Sequence, residues 1–269
     1  LKVESYKKGI IFSTLFNLFA KGLLFLLNLL IATYFGSESR TDVYFYAYNV
    51  VILISGFFTM LNSAVVIPEA MRIRAEESVE RSEQFLNTLL LLYLGVSLII
   101  SFVFLFNPVN AFDAISNFDE SILIENNDLL LLALPLIFLM TLTGLLADIL
   151  ISYRFFSITM VVSILNSVIS ISFLFFFKDA LSIASLLTGL LFGFSVNILL
   201  LMFLMKRYLD WKFSFTFINL RKRIWKNIGF AQAGNVTTVL NNYVPYYIFS
   251  GFSPGIITAL TFAQQLSVL

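Results

Sequence analysis

The stretch FNLFAKGLLFLLNLLIATYFG, residues 16–36, decides the fold. It is apolar at almost every position and meets the length of about 20 helical residues needed to cross a hydrocarbon core of roughly 30 Å. Lys21 is the exception, with apolar runs on either side. It stands about 13 residues from the polar N-terminal flank, or roughly 20 Å at 1.5 Å per residue. A lysine side chain cannot snorkel that far to the interface. A charge at such depth costs at least about 2.5 kcal/mol on insertion scales, so it has to face a protein interior or a wet cavity.

Composition carries the same reading to the whole chain. It is 59% hydrophobic and 12% charged, contains 31 phenylalanines, and has a mean hydropathy of +0.92. A soluble domain of 269 residues could not solvate that surface, so the class is an all-α integral membrane protein. The net charge of +1 argues against a nucleic-acid partner. Without Cys or His, zinc sites, thiol chemistry, disulfides and imidazole acid–base catalysis are excluded, and no cofactor is expected. The chain begins at Leu1 and stops inside an apolar run, QQLSVL, which reads as a fragment of a longer polytopic protein. The first apolar segment is too long for a signal-peptide core.

Seven stretches reach spanning length, at about Ile10–Phe35, Val43–Ile67, Phe85–Phe106, Leu129–Ser152, Ile158–Phe177, Leu181–Met205 and Ile228–Ser250, and an eighth begins near Gly255. They are too long for barrel strands and show no alternation. Orientation follows from the basic residues between spans. With the N-terminus in the cytoplasm, Lys2, Lys7, Lys8, Arg72, Arg74, Arg81, Arg154 and the seven basic residues of 206–226 all fall inside. Only Arg40 and Lys178 fall outside, and Lys21 lies in the membrane. The outer loop 107–127 carries Asp113, Asp119, Glu120 and Glu125 with no basic residue. The segment KRYLDWKFSFTFINLRKRIWKN, 206–227, mixes basic residues with Trp211, Phe213, Phe215 and Trp225. It suits a helix lying in the headgroup layer, as a linker between lobes or an anionic-lipid contact, and the competing reading is an ordinary positive-inside loop.

The spans themselves hold polar stripes. At roughly 100° per residue, Ser13, Asn17, Lys21 and Asn28 share one face of the first helix. Asp42, Asn49, Gly56 and Ser63 recur at seven-residue spacing on the second, and Ser163, Asn166 and Ser170 group on the fifth. The seventh carries Asn235, Thr238, Asn242 and Tyr246, with Pro245 interrupting it, and the eighth carries Gln264 and Gln265. Amide-rich stripes on several helices are expected around a hydrated central cavity. The competing reading is that such residues glue helices together, and it suits the ladder Ser185, Gly189 and Gly193 best. Asp42 and Asp148 are candidate ion-coupling carboxylates, although Asp148 also reads as a structural partner for Arg154.

The segment IATYFGSESRTDVYFYAYNV, 31–50, resembles the pattern of the MviN-like lipid II flippases, with Phe35, Gly36, Thr41, Asp42, Tyr46 and Ala47 at the matching places. AVVIPEAMR (64–72), ALPLIFLMTLTGLLADILISYRFF (133–156), Asn166 in SILNSV and NVTTVLNNYVPYYIFSGFSPGIITALTFAQQL (235–266) extend the likeness over most of the chain. It implies a MATE-like transporter fold of two six-helix lobes around a central cavity. The chain would hold the first lobe (1–205), a cytoplasmic basic linker (206–227) and the first two helices of the second lobe (228–269). It further implies a monomeric, non-enzymatic flippase of the bacterial inner membrane. Such a protein moves an undecaprenyl-diphosphate-linked saccharide by alternating access, with H+ or Na+ as the coupling ion.

The family's cavity arginines hold a diphosphate, and the first of them falls on Lys21. The others fall on Leu27 and near Ser55, and an Asp–Arg pair falls on Gln264 and Gln265. The substrate set implied is therefore Lys21 on the diphosphate, with Asn17, Asn28, Asn49, Asn166, Asn235, Asn242, Gln264 and Gln265 on sugar or water. One retained cation shifts the expectation from lipid II toward a polysaccharide repeat unit on the same carrier. The alternatives are a multidrug/cation antiporter of the same superfamily, a membrane transferase and a non-transporting scaffold. A cation in the first helix fits an anionic substrate better than a cationic drug.

Overall fold

The computed structural model describes residues 6–215, 217–220 and 222–268, with side chains omitted at 6–13, 158–159 and 266–268. Lys2 and Arg221, and the side chains of Lys7, Lys8 and Ser13, lie outside the described residues. The chain folds into α1 (Tyr6–Phe35), α2 (Ser39–Leu61), a π-helical turn (Asn62–Val66), α3 (Ile67–Glu76), α4 (Val79–Phe106) and α5 (Pro108–Asp113). It continues through α6 (Glu120–Glu125), α7 (Asn127–Ala133), α8 (Leu136–Ser152), α9 (Phe156–Leu181), α10 (Ala184–Leu209), α11 (Lys222–Phe249) and α12 (Ile256–Val268). Among the described residues, six helical spans are long and apolar enough to cross a membrane. The seventh expected span is α11, 28 residues long, whose asparagines and glutamine make it less apolar than the others.

Helix boundaries follow local chemistry. Gly36, at φ +62°, ends α1 in a left-handed turn. Ser78 caps α4 by accepting from the Arg81 N–H at 3.1 Å. Asn107 caps α5 in the same way, with Pro108 at the first helical position, where its missing N–H costs nothing. Between α7 and α8, Pro135 breaks the ladder. The Ser101 hydroxyl of α4 donates to the Leu134 carbonyl at the same point, at 3.0 Å. The Leu134 carbonyl, which also accepts from the Ile137 N–H at 3.1 Å, thereby ties the break to a neighbouring helix.

Two apolar clusters hold the bundle. One joins the start of α2 to α5, α6, α7 and the start of α10, and the other joins the end of α2 to α4, the end of α8 and the end of α10. The helices α9 and α10 are closely packed along the small-residue ladder: a Cβ at Gly189 would sit 2.9 Å from the Phe173 Cβ. This supports the packing reading of the ladder at Gly189.

Two expectations are corrected. The segment 206–227 is not an interfacial helix. The α10 helix ends at Asp210 in a left-handed conformation, and the described residues to Leu220 are irregular. This strand-like piece is held by its aromatic and backbone groups: Trp211 Nε1 donates to Asn87 Oδ1 at 3.0 Å, Asn87 Nδ2 donates to the Lys212 carbonyl at 2.7 Å, and the Ile218 N–H donates to Thr88 Oγ1 at 3.1 Å. Trp211 and Leu220 are buried in the second cluster instead of facing headgroups. Pro245 likewise does not interrupt its span. It lies inside a continuous α11, where its missing N–H leaves the Asn241 carbonyl without its i→i−4 donor but does not end the helix.

Candidate functional site

The faces of α1, α2, α9, α10 and α12 and one residue of α11 enclose a cavity of about 530 Å³. Seven of the expected substrate residues line it: Asn17, Lys21 and Asn28 from α1, Asn49 from α2, Asn166 from α9, and Gln264 and Gln265 from α12. Lys21 is half-buried, and among the described lining residues it is the one formal charge. Asn17 is exposed at the rim, Asn28 is half-buried, and the Asn49 amide donates to the Phe45 carbonyl at 2.8 Å.

Asn166 reaches the cavity because α10 has no side chain opposite it: a Cβ at Gly193 would run into Asn166 Oδ1. One turn further along the same ladder, Asn197 also lines the cavity, fully buried, with its amide donating to the Val162 carbonyl at 3.3 Å. The sequence reading passes over Asn197. Extending the four-residue spacing of Ser185, Gly189 and Gly193 by one step would have found it. Asn166 Oδ1, Ser170 Oγ, Asn197 Oδ1 and Gln265 Oε1 are buried polar atoms of this wall without a protein partner. A hydroxyl-rich ligand would satisfy such atoms.

Aromatic residues complete the lining. Tyr44 and Tyr48 lie parallel with ring centroids 6.2 Å apart, and the Tyr246 hydroxyl donates to Gln264 Oε1 at 2.8 Å. Tyr246 is the point at which α11 touches the cavity. The other two expected residues of that helix are elsewhere. Asn235 bonds Gln232 at 3.1 Å, and Asn242 is exposed.

Neither candidate carboxylate lies in the cavity lining. Asp42 is buried at the end of the cavity nearest the α1–α2 turn, where it caps α12 from across the bundle. Its Oδ2 accepts from the Gly255 N–H at 2.6 Å, and its Oδ1 accepts from the Thr258 N–H at 2.8 Å and the Thr258 hydroxyl at 2.5 Å. A helix N-terminus leaves N–H groups unpaired and carries partial positive charge, so a carboxylate is the fitting partner. Gly255 allows the approach: its φ is +95°, and a Cβ there would stand 2.8 Å from the Ser37 carbonyl oxygen. The outer loop strengthens this end. The hydroxyls of Tyr46 on α2 and Tyr243 on α11 both donate to the Ile115 carbonyl, and Asn117 bonds Ser250 and Tyr247 at the end of α11. Asp148 pairs with Asn62 at 2.8 Å, not with Arg154 as expected.

At the other end of the bundle, Glu69 is buried between Arg72 of its own helix, at 2.6 Å, and Arg223 of α11, at 3.2 Å. The cavity thus has tight contacts between α2 and α11–α12 beyond its Asp42 end, and an ion-paired contact between α3 and α11 at the opposite one.

A family model described as lipid II flippase MurJ matches residues 31–269. The chain belongs to that family. Its fold agrees: a solved lipid II flippase MurJ in an inward closed conformation superposes with a TM-score of 0.79 over 96% of this chain, at 22% identity. A second solved structure, named protein A, superposes at 0.76 over 99% of this chain, at 13% identity. The chain spans 54% of the first of these proteins and 62% of the second. Comparison with curated protein sequences found no match. Family membership places the chain on the lipid-flippase branch, and the drug-antiporter alternative is not favoured. It is a multi-pass membrane protein with six apolar spans among its described residues.

Proposed function

We propose that the chain forms the first lobe (1–205), the basic linker (206–227) and the start of the second lobe (228–269) of a flippase. Its cargo is a saccharide joined to undecaprenyl diphosphate, a polysaccharide repeat unit or lipid II. The observation that carries this reading is the cavity itself, which sets one cation, Lys21, among amides and tyrosines, with no carboxylate among its described lining residues. A diphosphate finds an opposite charge there, and sugar hydroxyls find the amides of Asn166 and Gln265. The polyprenyl tail stays in lipid while the headgroup crosses by rocking of the lobes. No covalent step is involved.

Orientation follows the basic residues. Arg72, Arg74, Arg81, Arg154, Lys206, Arg207 and Lys212 gather at the helix ends opposite the Asp42 seal, which supports a cytoplasmic N-terminus. The protein acts as a monomer in the bacterial inner membrane, and an ion gradient or the membrane potential drives it. Asp42 serves in the seal and not in ion coupling, because its oxygens already hold three donors.

The test is a translocation assay in cells depleted of the full-length protein. Lipid-linked saccharide should accumulate on the cytoplasmic face and return outward on re-expression. Normal sidedness after depletion would end the flippase reading.

A further inference from the structure

A second polar site lies outside the cavity, where α2 passes into the π-helical turn. Asn62 opens that turn and is fully buried. Its Nδ2 donates to Asp148 Oδ2 on α8 at 2.8 Å. Its Oδ1 is buried with no donor, and so is the hydroxyl of Tyr93 on α4, which lies within electrostatic reach of Asp148. The two helices are drawn together one turn away, where a Cβ on Gly144 would stand 3.2 Å from Thr59 Oγ1. A π turn adds a residue to the helical repeat and re-aims the side chains beside it, and such turns gather at functional sites. Here it aims Asn62 at a carboxylate.

The hydrogen-bonding capacities of the pair point to its ligand. An ionised carboxylate only accepts, so it uses the amide's N–H and leaves the amide's carbonyl without a donor. A carboxylic acid has one O–H to give. With a proton on Oδ1, Asp148 would donate to Asn62 Oδ1 while still accepting from Nδ2, and one hydrogen bond would become two. The same proton removes a negative charge from an apolar setting.

The surroundings supply no competing charge at this point. The neighbours on α8 itself are Leu145 and Ile149, α10 brings Leu201 and Met205, α2 brings Phe58 and Thr59, and α4 brings Tyr93. The charged groups of the packed elements lie further along. Arg74 of α3 sits over the Tyr153 ring at 4.2 Å, Glu83 of α4 acts on the same tyrosine, and Arg223 of α11 is engaged with Glu69. Arg154 follows that tyrosine beyond the end of α8.

We propose that Asp148 and Asn62 form a proton-binding acid–amide pair within the first lobe, with Tyr93 as its neighbouring hydroxyl. The proton comes from water and joins a carboxylate oxygen, and no other bond changes. The pair can transmit its state, because α11 lies against the same region: Gln232 Nε2 donates to the Phe57 carbonyl at 3.2 Å, beside Phe58 and Thr59. That proton binding drives transport rests on the flippase reading. The existence of the proton site does not.

Infrared difference spectra of the full-length protein in nanodiscs, titrated from mildly acidic to mildly alkaline pH, test the site directly. A carboxylic-acid carbonyl band that appears on acidification should be lost in Asp148→Asn and shifted in Asn62→Leu. Asp148→Asn mimics the protonated pair and can keep the Asn62 contact, and Asn62→Leu reads the site without touching the carboxylate. An unchanged band in both variants overturns the proposal, as does a titration that follows sodium concentration instead of pH. Translocation by the wild-type protein, measured separately, tells a failed proton site from a failed flippase reading.

Discussion

Asp42 of α2 caps the N-terminus of α12, and Thr258 gives it two hydrogen bonds, from its backbone N–H and its hydroxyl, at 2.8 and 2.5 Å. The two residues are 216 positions apart in the chain, so the bond ties α2 to α12. The cavity lies immediately inward, lined by Tyr44 and Phe45 from α2 and by Thr261 and Gln264 from α12. Any movement that opens this end has to separate Asp42 from three donors.

Asp42→Asn replaces one acceptor oxygen with an amide that only donates, leaving a buried N–H of Gly255 or Thr258 facing another donor. An unsatisfied buried donor costs about 1–3 kcal/mol. The outer end should therefore open more often. The chain contains no cysteine, so a single Gln264→Cys probe can be labelled without background from these residues. A membrane-impermeant maleimide added on the side of the 107–127 loop should label it at least several-fold faster when Asp42 is Asn. Equal labelling rates would show that the cap does not hold the cavity shut.

Lys21 is tested by charge. Lys21→Arg should sustain complementation, whereas Lys21→Ala and Lys21→Met should lower translocation at least tenfold at equal expression. A tenfold loss corresponds to about 1.4 kcal/mol of binding. Met matches the length and packing of the lysine stem, so a loss in both variants assigns the effect to the charge. Full activity in the Ala variant would remove Lys21 from substrate binding.

Much of this site is legible in the sequence, because a polar residue in an apolar helix has few inexpensive places to go. Lys21, Asn28, Asn49 and Asn166 each stand out against 59% hydrophobic composition, and the structure brings all four to one cavity. Helical periodicity assigns a face but not a neighbour, and the misreadings arise there. Asn235 and Asn242 share a face of α11 with Tyr246, yet only Tyr246 meets the cavity, because α11 runs along α2 and approaches the site near its end. Asp42 reads as an isolated membrane carboxylate, since nothing local reveals that the N-terminus of a helix more than 200 residues later will dock on it. The linker misleads for a similar reason. Its aromatics suit a headgroup layer by composition, but Asn87 and Thr88, over 120 residues earlier, offer the hydrogen bonds that draw it into the lobe.

That docking can be measured. Asn87→Leu removes both the acceptor for Trp211 Nε1–H and the donor to the Lys212 carbonyl. The buried indole N–H left unpaired costs about 1–3 kcal/mol, while the Lys212 carbonyl can turn to water. The expected result is a lower unfolding temperature in detergent and faster protease cleavage between Trp211 and Leu220. Trp211→Phe should fall between wild type and Asn87→Leu, because it keeps the ring in its pocket and loses one hydrogen bond. A cleavage rate equal to wild type in Asn87→Leu would mean that burial of Trp211 alone holds the segment.

The notch at Gly193 gives the sharpest test of how the cavity wall is built. Gly193→Ala places a methyl where Asn166 Oδ1 lies, so Asn166 must leave its rotamer or α9 must move away from α10. If Asn166 is the group displaced, Gly193→Ala and Asn166→Ala remove the same function. The double variant should then lose no more transport than either single change, a coupling expected between residues in direct contact. If α9 moves instead, the two effects add, because helix spacing and the asparagine then fail separately. Gly189→Ala supplies the control. A methyl there meets the Phe173 Cβ and the Ser170 backbone, not a cavity amide, so it should lower thermal stability and its effect should add to that of Asn166→Ala. Additivity for Gly189 together with its absence for Gly193 would identify the glycine of the notch as a cavity-shaping residue and the ladder below it as packing.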